Sequence, residues 1–172
     1  TSTHYPDSII EQFEQPDGTF NSYAAVLNYY HNTRNIDWKL SYQDMGKNFR
    51  ADQGFITQVD YKELEVGADY TWIANNPDLW WTSIQFGGEY EHMVDQSYDL
   101  LESGVEFDFN ISMIKQSHIY MDYSLFKEAY NNSEFVQHSF YIHHCAWPIG
   151  SLHYWLNFRF GDRIDYTNTR LG

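Results

Sequence analysis

This chain has little cysteine, little positive charge and no long apolar run. One cysteine, Cys145, stands among 172 residues, so no internal disulfide can form and a disulfide-stapled secreted fold is excluded. The 10 Lys+Arg against 24 Asp+Glu leave a formal net charge of -14. Nucleic acid, which calls for a basic footprint, is therefore an improbable partner, and so is the anionic surface of a membrane. No stretch approaches the 18 or so consecutive apolar residues of a transmembrane helix. The opening "TSTHYPDS" has no apolar signal region and no initiating Met, and the chain is expected to be a mature form or an excised piece. Helical periodicity is nearly absent, and only "SIIEQFE" at 8–14 reads as a short helix. Phosphate-cradling glycine loops, G-x-S-x-G elbows and H-E-x-x-H helices are all missing, so no catalytic motif is expected.

What the chain has instead is aromatic residues and alternation. Aromatics make up 19% of it, with 15 tyrosines and 6 tryptophans. In "NIDWKLSYQD" at 35–44, Ile36, Trp38, Leu40 and Tyr42 fall on one side of a strand, and Asp37, Lys39, Ser41 and Gln43 on the other. The same period of two predicts strands near 19–31, 35–45, 61–73, 79–92, 98–111, 117–127, 135–147 and 151–161. Turn signals lie between them: "NTR", "ANNPD", "VDQS", "YNNSE" and "PIG". The segment 46–60 is irregular and reads as a bulged continuation or a short strand of its own. The domain reading is a 1–18 N-terminal extension or linker, then 19–172 as about eight long antiparallel strands.

These segments run 10 to 15 residues, where a tilted strand needs about 9 to 11 to cross a bilayer. Their apolar sides are broad, and Trp72, Trp80, Trp81, Tyr90 and Trp147 stand near strand ends, as in the aromatic girdles of outer-membrane barrels. The expected fold is all-β: an antiparallel up-and-down meander forming all or, by preference, part of an outer-membrane β-barrel. Lipid or detergent is then its partner. The alternative is a soluble lipocalin-like barrel with the apolar side turned in around a small ligand.

"DMGKNFRADQGFITQVDYKELEVGADYTW" (44–72) and "FGDRIDYTNTRLG" (160–172) resemble the C-terminal β-barrel region of a bacterial outer-membrane family of uncharacterised function. The shared features are an aromatic followed by "RADQGF", a turn and a strand, then "GD-x-IDY" and a closing "RLG". Members of that family carry an N-terminal carbohydrate-binding domain similar to family 9 modules and are labelled membrane-associated hydrolases. The resemblance implies a bacterial outer-membrane location and a role as anchor or conduit for an envelope carbohydrate-related protein. It also implies further strands after "RLG" and a carbohydrate-binding domain outside this chain. A membrane-associated glycoside hydrolase is a further alternative that rests on the family's label alone. Within the motifs, Arg50 and Asp52 are candidates for an inward ion pair at a strand end, with Gly54 at a bend. Arg163 and Asp165 are candidates for another such pair, next to Asp162 and Gly161.

The polar sides of the strands carry Asp37, Glu63, Glu65, Asp69, Glu89, Glu102, Glu106, Asp108 and Asp122 against Lys39 and Arg159, and are expected to line a lumen. A wet lumen so lined attracts cations, whereas a small barrel fills with these side chains. Glu63/Glu65 or Glu106/Asp108 meet the carboxyl spacing of glycoside hydrolysis, but any same-face neighbours on a strand do. The densest local cluster is "YIHHCAWPIGSLHYW" at 141–155. With Pro148–Gly150 as the turn, Cys145 would face His153 and share the polar side with His143. Imidazole and thiolate suit zinc or copper. No cofactor is otherwise expected. A four-ligand structural site would need His118 or His138 to reach in.

Overall fold

The computed structural model describes residues 22–49, 58–131 and 133–172. The predicted helix at 8–14 lies outside them, as do Arg50, Asp52 and Gly54. Among the described residues there is no helix. Eight strands form one antiparallel sheet in sequence order: β1 (Ala24–Asn32), β2 (Ile36–Met45), β3 (Tyr61–Ile73), β4 (Trp81–Asp95), β5 (Leu100–Met113), β6 (Ser117–Tyr130), β7 (Ser133–Ile149) and β8 (Leu152–Gly161). Two short strands, β9 (Ile164–Asp165) and β10 (Arg170–Leu171), make a hairpin of their own whose second strand lies against β7. β1 and β8 do not pair with each other, so among the described residues the sheet is open along both edges.

The turns between strands are built by side chains that mimic backbone partners. Asp95 Oδ1 accepts the amide hydrogens of Ser97 at 2.8 Å and Asp99 at 2.9 Å, closing the β4–β5 turn. Asn76 Oδ1 accepts that of Asp78 at 2.9 Å between β3 and β4. Asn131 takes the left-handed conformation (φ 51°) after β6, which asparagine tolerates better than most residues. Gly161 ends β8 at φ 152°, where a Cβ would strike the His138 carbonyl.

One expected turn is misplaced. β7 runs on through Pro148 to Ile149, and the hairpin turns at Gly150 and Ser151. A bulge between Ala146 and Ile149 absorbs the difference, which keeps Pro148 out of the regular ladder it cannot donate to.

The sheet is a single layer, and almost nothing lies inside it. Among the described residues only Phe135, Ala146 and Ile164 are buried hydrophobics. On β3 the apolar residues Leu64, Val66, Tyr70 and Trp72 are exposed, while Glu63, Glu65, Asp69 and Thr71 are half-buried. Among the described residues no second layer covers either side, and shielding comes from neighbours on the same face. The sheet therefore curls with its polar side on the concave face.

Candidate functional site

The register stacks the concave face into cross-strand rows. One row reads Asp37, Asp69, Gly87, Asp108, Asp122, Tyr141 and Arg159 from β2 to β8. The next, two residues along each strand, reads Lys39, Gly67, Glu89, Glu106, Ser124 and Ser139. Beyond it come Glu65 beside Glu91, and then Glu63, Met93, Glu102 and Glu128. All nine acids expected on the polar side thus lie on this face. Alternation carried one step past Glu89 on β4 and two past Ser124 on β6 would also have found Glu91 and Glu128.

Glycines make room for this crowd. The Lys39 stem lies across Gly67, its Cε 3.1 Å from where a Cβ would stand. That slot lets Nζ reach the next strand but one, 2.8 Å from Glu89 Oε1 and 3.7 Å from Glu65 Oε2. The Asp69 and Asp108 carboxylates both lean over Gly87, where a Cβ would collide with an oxygen of each. The Gln85 amide donates to Asp69 at 3.1 Å. The Phe126 ring fills the space above Gly104, the usual way an aromatic covers a strand glycine. At the other side of the sheet, the Arg159 guanidinium sits 5.1 Å from the Tyr141 ring.

On the far side of the aspartate row the chemistry changes. The next row is Gln85, Asn110, Tyr120, His143 and Asn157, and the last is Ser112, His118, Cys145 and Trp155. Cys145 therefore faces His118 and Trp155 rather than His153. The cause is the bulge and the later turn, which shift β8 against β7. His153 instead stacks on Trp147 with ring centroids 4.3 Å apart. His118 Nδ1 stands 3.0 Å from Cys145 Sγ, and the His118 and His143 rings are 5.0 Å apart. One ligand atom from each of His118, His143 and Cys145 lies within 4.8 Å of the others. Asn157 Oδ1 is 2.6 Å from His143 Nδ1 and accepts from Tyr141 Oη at 2.9 Å. The trio replaces the expected His143, Cys145 and His153.

The C-terminal motif also rearranges. Asp165 pairs with Arg170 Nε at 3.5 Å across the β9–β10 hairpin, not with Arg163. The Asn168 side-chain amide at 2.6 Å, the Asn168 backbone N–H at 3.2 Å and Arg170 together hold the Asp165 carboxyl below its ordinary range. Asp162 accepts the His138 backbone N–H at 3.2 Å. The hairpin folds back on the β6–β7 end, where Tyr166 Oη donates to Glu128 at 3.2 Å and its ring meets Tyr130 edge-on at 5.0 Å.

The convex face carries five rows, four of them apolar and the fifth mostly polar. They lead with Trp72–Ile84–Ile111–Ile119, Tyr70–Phe86–Phe109–Met121, Ala68–Gly88–Phe107–Tyr123, Val66–Tyr90–Val105–Leu125, and Leu64–His92–Ser103–Lys127. Trp38 belongs to the middle row, and Tyr90 to the fourth, the last of the apolar rows. Trp72, Trp80, Trp81 and Trp147 gather at one end of the sheet, and Tyr42, Tyr98, Tyr130 and Tyr166 at the other. Tyr123 Oη and His138 Nδ1 pair on this face at 2.9 Å, and Lys127 pairs with Glu134 at 2.7 Å, whereas His92 Nδ1 is buried without a partner among the described residues. At the tryptophan end a groove of about 550 Å³ is lined by Arg34, Asn35, Tyr70, Trp72, Asn76 and Trp81.

No protein-family model, curated protein or solved structure matches this chain.

Proposed function

We propose that this chain is a segment of an outer-membrane β-barrel, serving as anchor or conduit for a larger envelope protein. Its apolar face meets acyl chains and its acidic face turns to the lumen. The observation that carries this is the convex band. The four apolar rows, Val66 to Trp72 on β3, span about 20 Å along the strand and roughly 15 Å once tilted by about 40°, before side-chain width is added. The side chains of the end rows extend this toward the apolar band of about 25 Å in such barrels. Across β2–β7 the band covers roughly 600 Å² of sheet, at the upper end of the 300–600 Å² of the largest apolar patch on a typical soluble monomer.

A lipocalin-like barrel needs the opposite curl. Val66 and Phe107 would sit inside it, yet they are 42% and 44% exposed while their strand neighbours Glu65 and Glu106 are half-buried. In hydrocarbon the open edges of β1 and β8 must be paired, because every backbone N–H and C=O needs a partner there. The barrel is accordingly completed by strands beyond these eight. A lumen lined by these acids favours cations over anions. A carbohydrate ligand, if the protein takes one, belongs to a further domain.

The test is reconstitution into vesicles of single-tryptophan variants, with lipids brominated at the bilayer centre. Trp38, in the middle row, should be quenched more strongly than Trp72 at the band's end. The chain should also require detergent for extraction and migrate differently on gels with and without heating. A chain that stays monomeric without detergent, with Trp38 unquenched by lipid, would overturn the assignment.

A further inference from the structure

The side chains at the tryptophan end of the concave face carry one more step, and it does not depend on what covers the convex face. We propose that His118, His143 and Cys145 bind one zinc ion, with the fourth position open to water or a solute. The three come from two adjacent strands at fixed register. His118 and Cys145 are a directly opposed pair, and His143 lies two residues along β7 from Cys145. A tetrahedral zinc with bonds of about 2.3 Å to sulfur and 2.0–2.1 Å to nitrogen holds its ligand atoms roughly 3.3–3.6 Å apart. The three ligand atoms already lie within 4.8 Å of one another, and His118 and Cys145 are at 3.0 Å. Closure therefore asks for side-chain adjustments of an ångström or so and no backbone movement.

The surroundings prepare the ligands. Asn157 Oδ1, itself held by the Tyr141 hydroxyl, is an acceptor and so fixes the proton of His143 on Nδ1. The lone pair of His143 Nε2 is left for the metal, the usual arrangement in which an outer partner orients a ligating histidine. A thiolate with two imidazoles is a borderline-soft donor set that selects zinc or copper over magnesium or calcium. Binding releases the Cys145 thiol proton to solvent and forms the zinc–sulfur bond, with no oxidant or reductant needed. Three protein ligands and one open position is the pattern of sites that act on a bound water or solute, not of closed structural sites.

The experiment is titration of the full folded chain, in detergent or without it as solubility requires, with Zn²⁺ by calorimetry and with Co²⁺ by absorbance. The expected result is one zinc per chain and a thiolate-to-cobalt charge-transfer band. Cys145→Ser should remove the band, and Cys145→Ser, His118→Gln and His143→Gln should each weaken zinc binding by at least about 10- to 100-fold. Asn157→Ala, which removes only the orienting partner, should weaken it about 10-fold and keep the band. His153→Gln should change neither. Should a ligand variant fail to fold, protection of Cys145 from alkylation by zinc in the unaltered chain reads the same contact. Binding without the band, binding indifferent to Cys145→Ser, equal loss in His153→Gln, or alkylation unaffected by zinc would each overturn the site.

Discussion

Gly87 and Gly88 are adjacent in β4 and serve opposite faces of the sheet. Gly87 lies in the aspartate row, where the Asp69 and Asp108 carboxylates occupy the space a side chain would take. Gly88 lies in the middle apolar row, where the Phe107 ring stands 3.2 Å from a Cβ position. One backbone thus carries an electrostatic surface on its concave side and a packing surface on its convex side. The difference teaches that this sheet has no core in the ordinary sense. Each face must be stabilised by its own neighbours and by whatever medium meets it.

The contrast is broken most severely by exchanging the character of one face. Phe107→Lys, in the middle row, should disfavour insertion into bilayers by about 2–4 kcal/mol. Glu106→Gln, one residue away on the concave side, should be neutral or mildly stabilising, because it removes one like charge from a row that holds Glu89 beside it. Folding titrations in vesicles measure both, and equal losses at the two positions would end the two-face description.

Next in size are the glycines. Gly87→Val should cost about 1–3 kcal/mol by displacing both carboxylates, whereas Gly88→Ala should cost under about 1 kcal/mol. Chemical unfolding of the two variants decides between them. Lys39→Met should cost about 1 kcal/mol and make added salt more stabilising, since Glu65 and Glu89 lose their common cation at a half-exposed site and are left to repel each other. No change in either quantity would mean that this ion pair does nothing for the fold.

The smallest effect is at the hairpin. The Asp165 carboxyl is held below its ordinary range in the folded chain, so its contribution is present above the unfolded value of about 3.9 and is lost as pH falls through the folded value. Relative to the intrinsic rate, amide exchange at Arg163 and Gly172, which exchange both hydrogen bonds across the hairpin, should therefore quicken as pH falls. In Asp165→Asn it should be pH-independent beyond the intrinsic chemistry.

Much of this was legible beforehand. The period of two placed β3 at 61–73 and put β2, β6 and β8 within a few residues of their ends. It also separated Glu65 from Val66 and every other in-and-out pair along β3. What it missed were interruptions of the ladder. The bulges between Trp81 and Ser83, Met93 and Val94, and Ala146 and Ile149 leave no mark on alternation, because a bulge adds a residue without altering composition. The β9–β10 hairpin was too short for any period to register.

The trio of His118, His143 and Cys145 shows where that boundary lies. Its residue types and their common face were readable in "YIHHCAWPIG" and "SHIYMDY", yet the partner of Cys145 was not.

By itself, the sequence determined that the chain is a meander of long strands with one acidic and one apolar side, because side chains in an extended backbone alternate whatever lies around them. Only the tertiary structure decided which acids share a row, that Lys39 reaches Glu89 across Gly67, and that His118 rather than His153 meets Cys145. Those outcomes depend on how each strand slides against its neighbour, and a single residue of slip, set by a bulge or a turn, changes every partner along it.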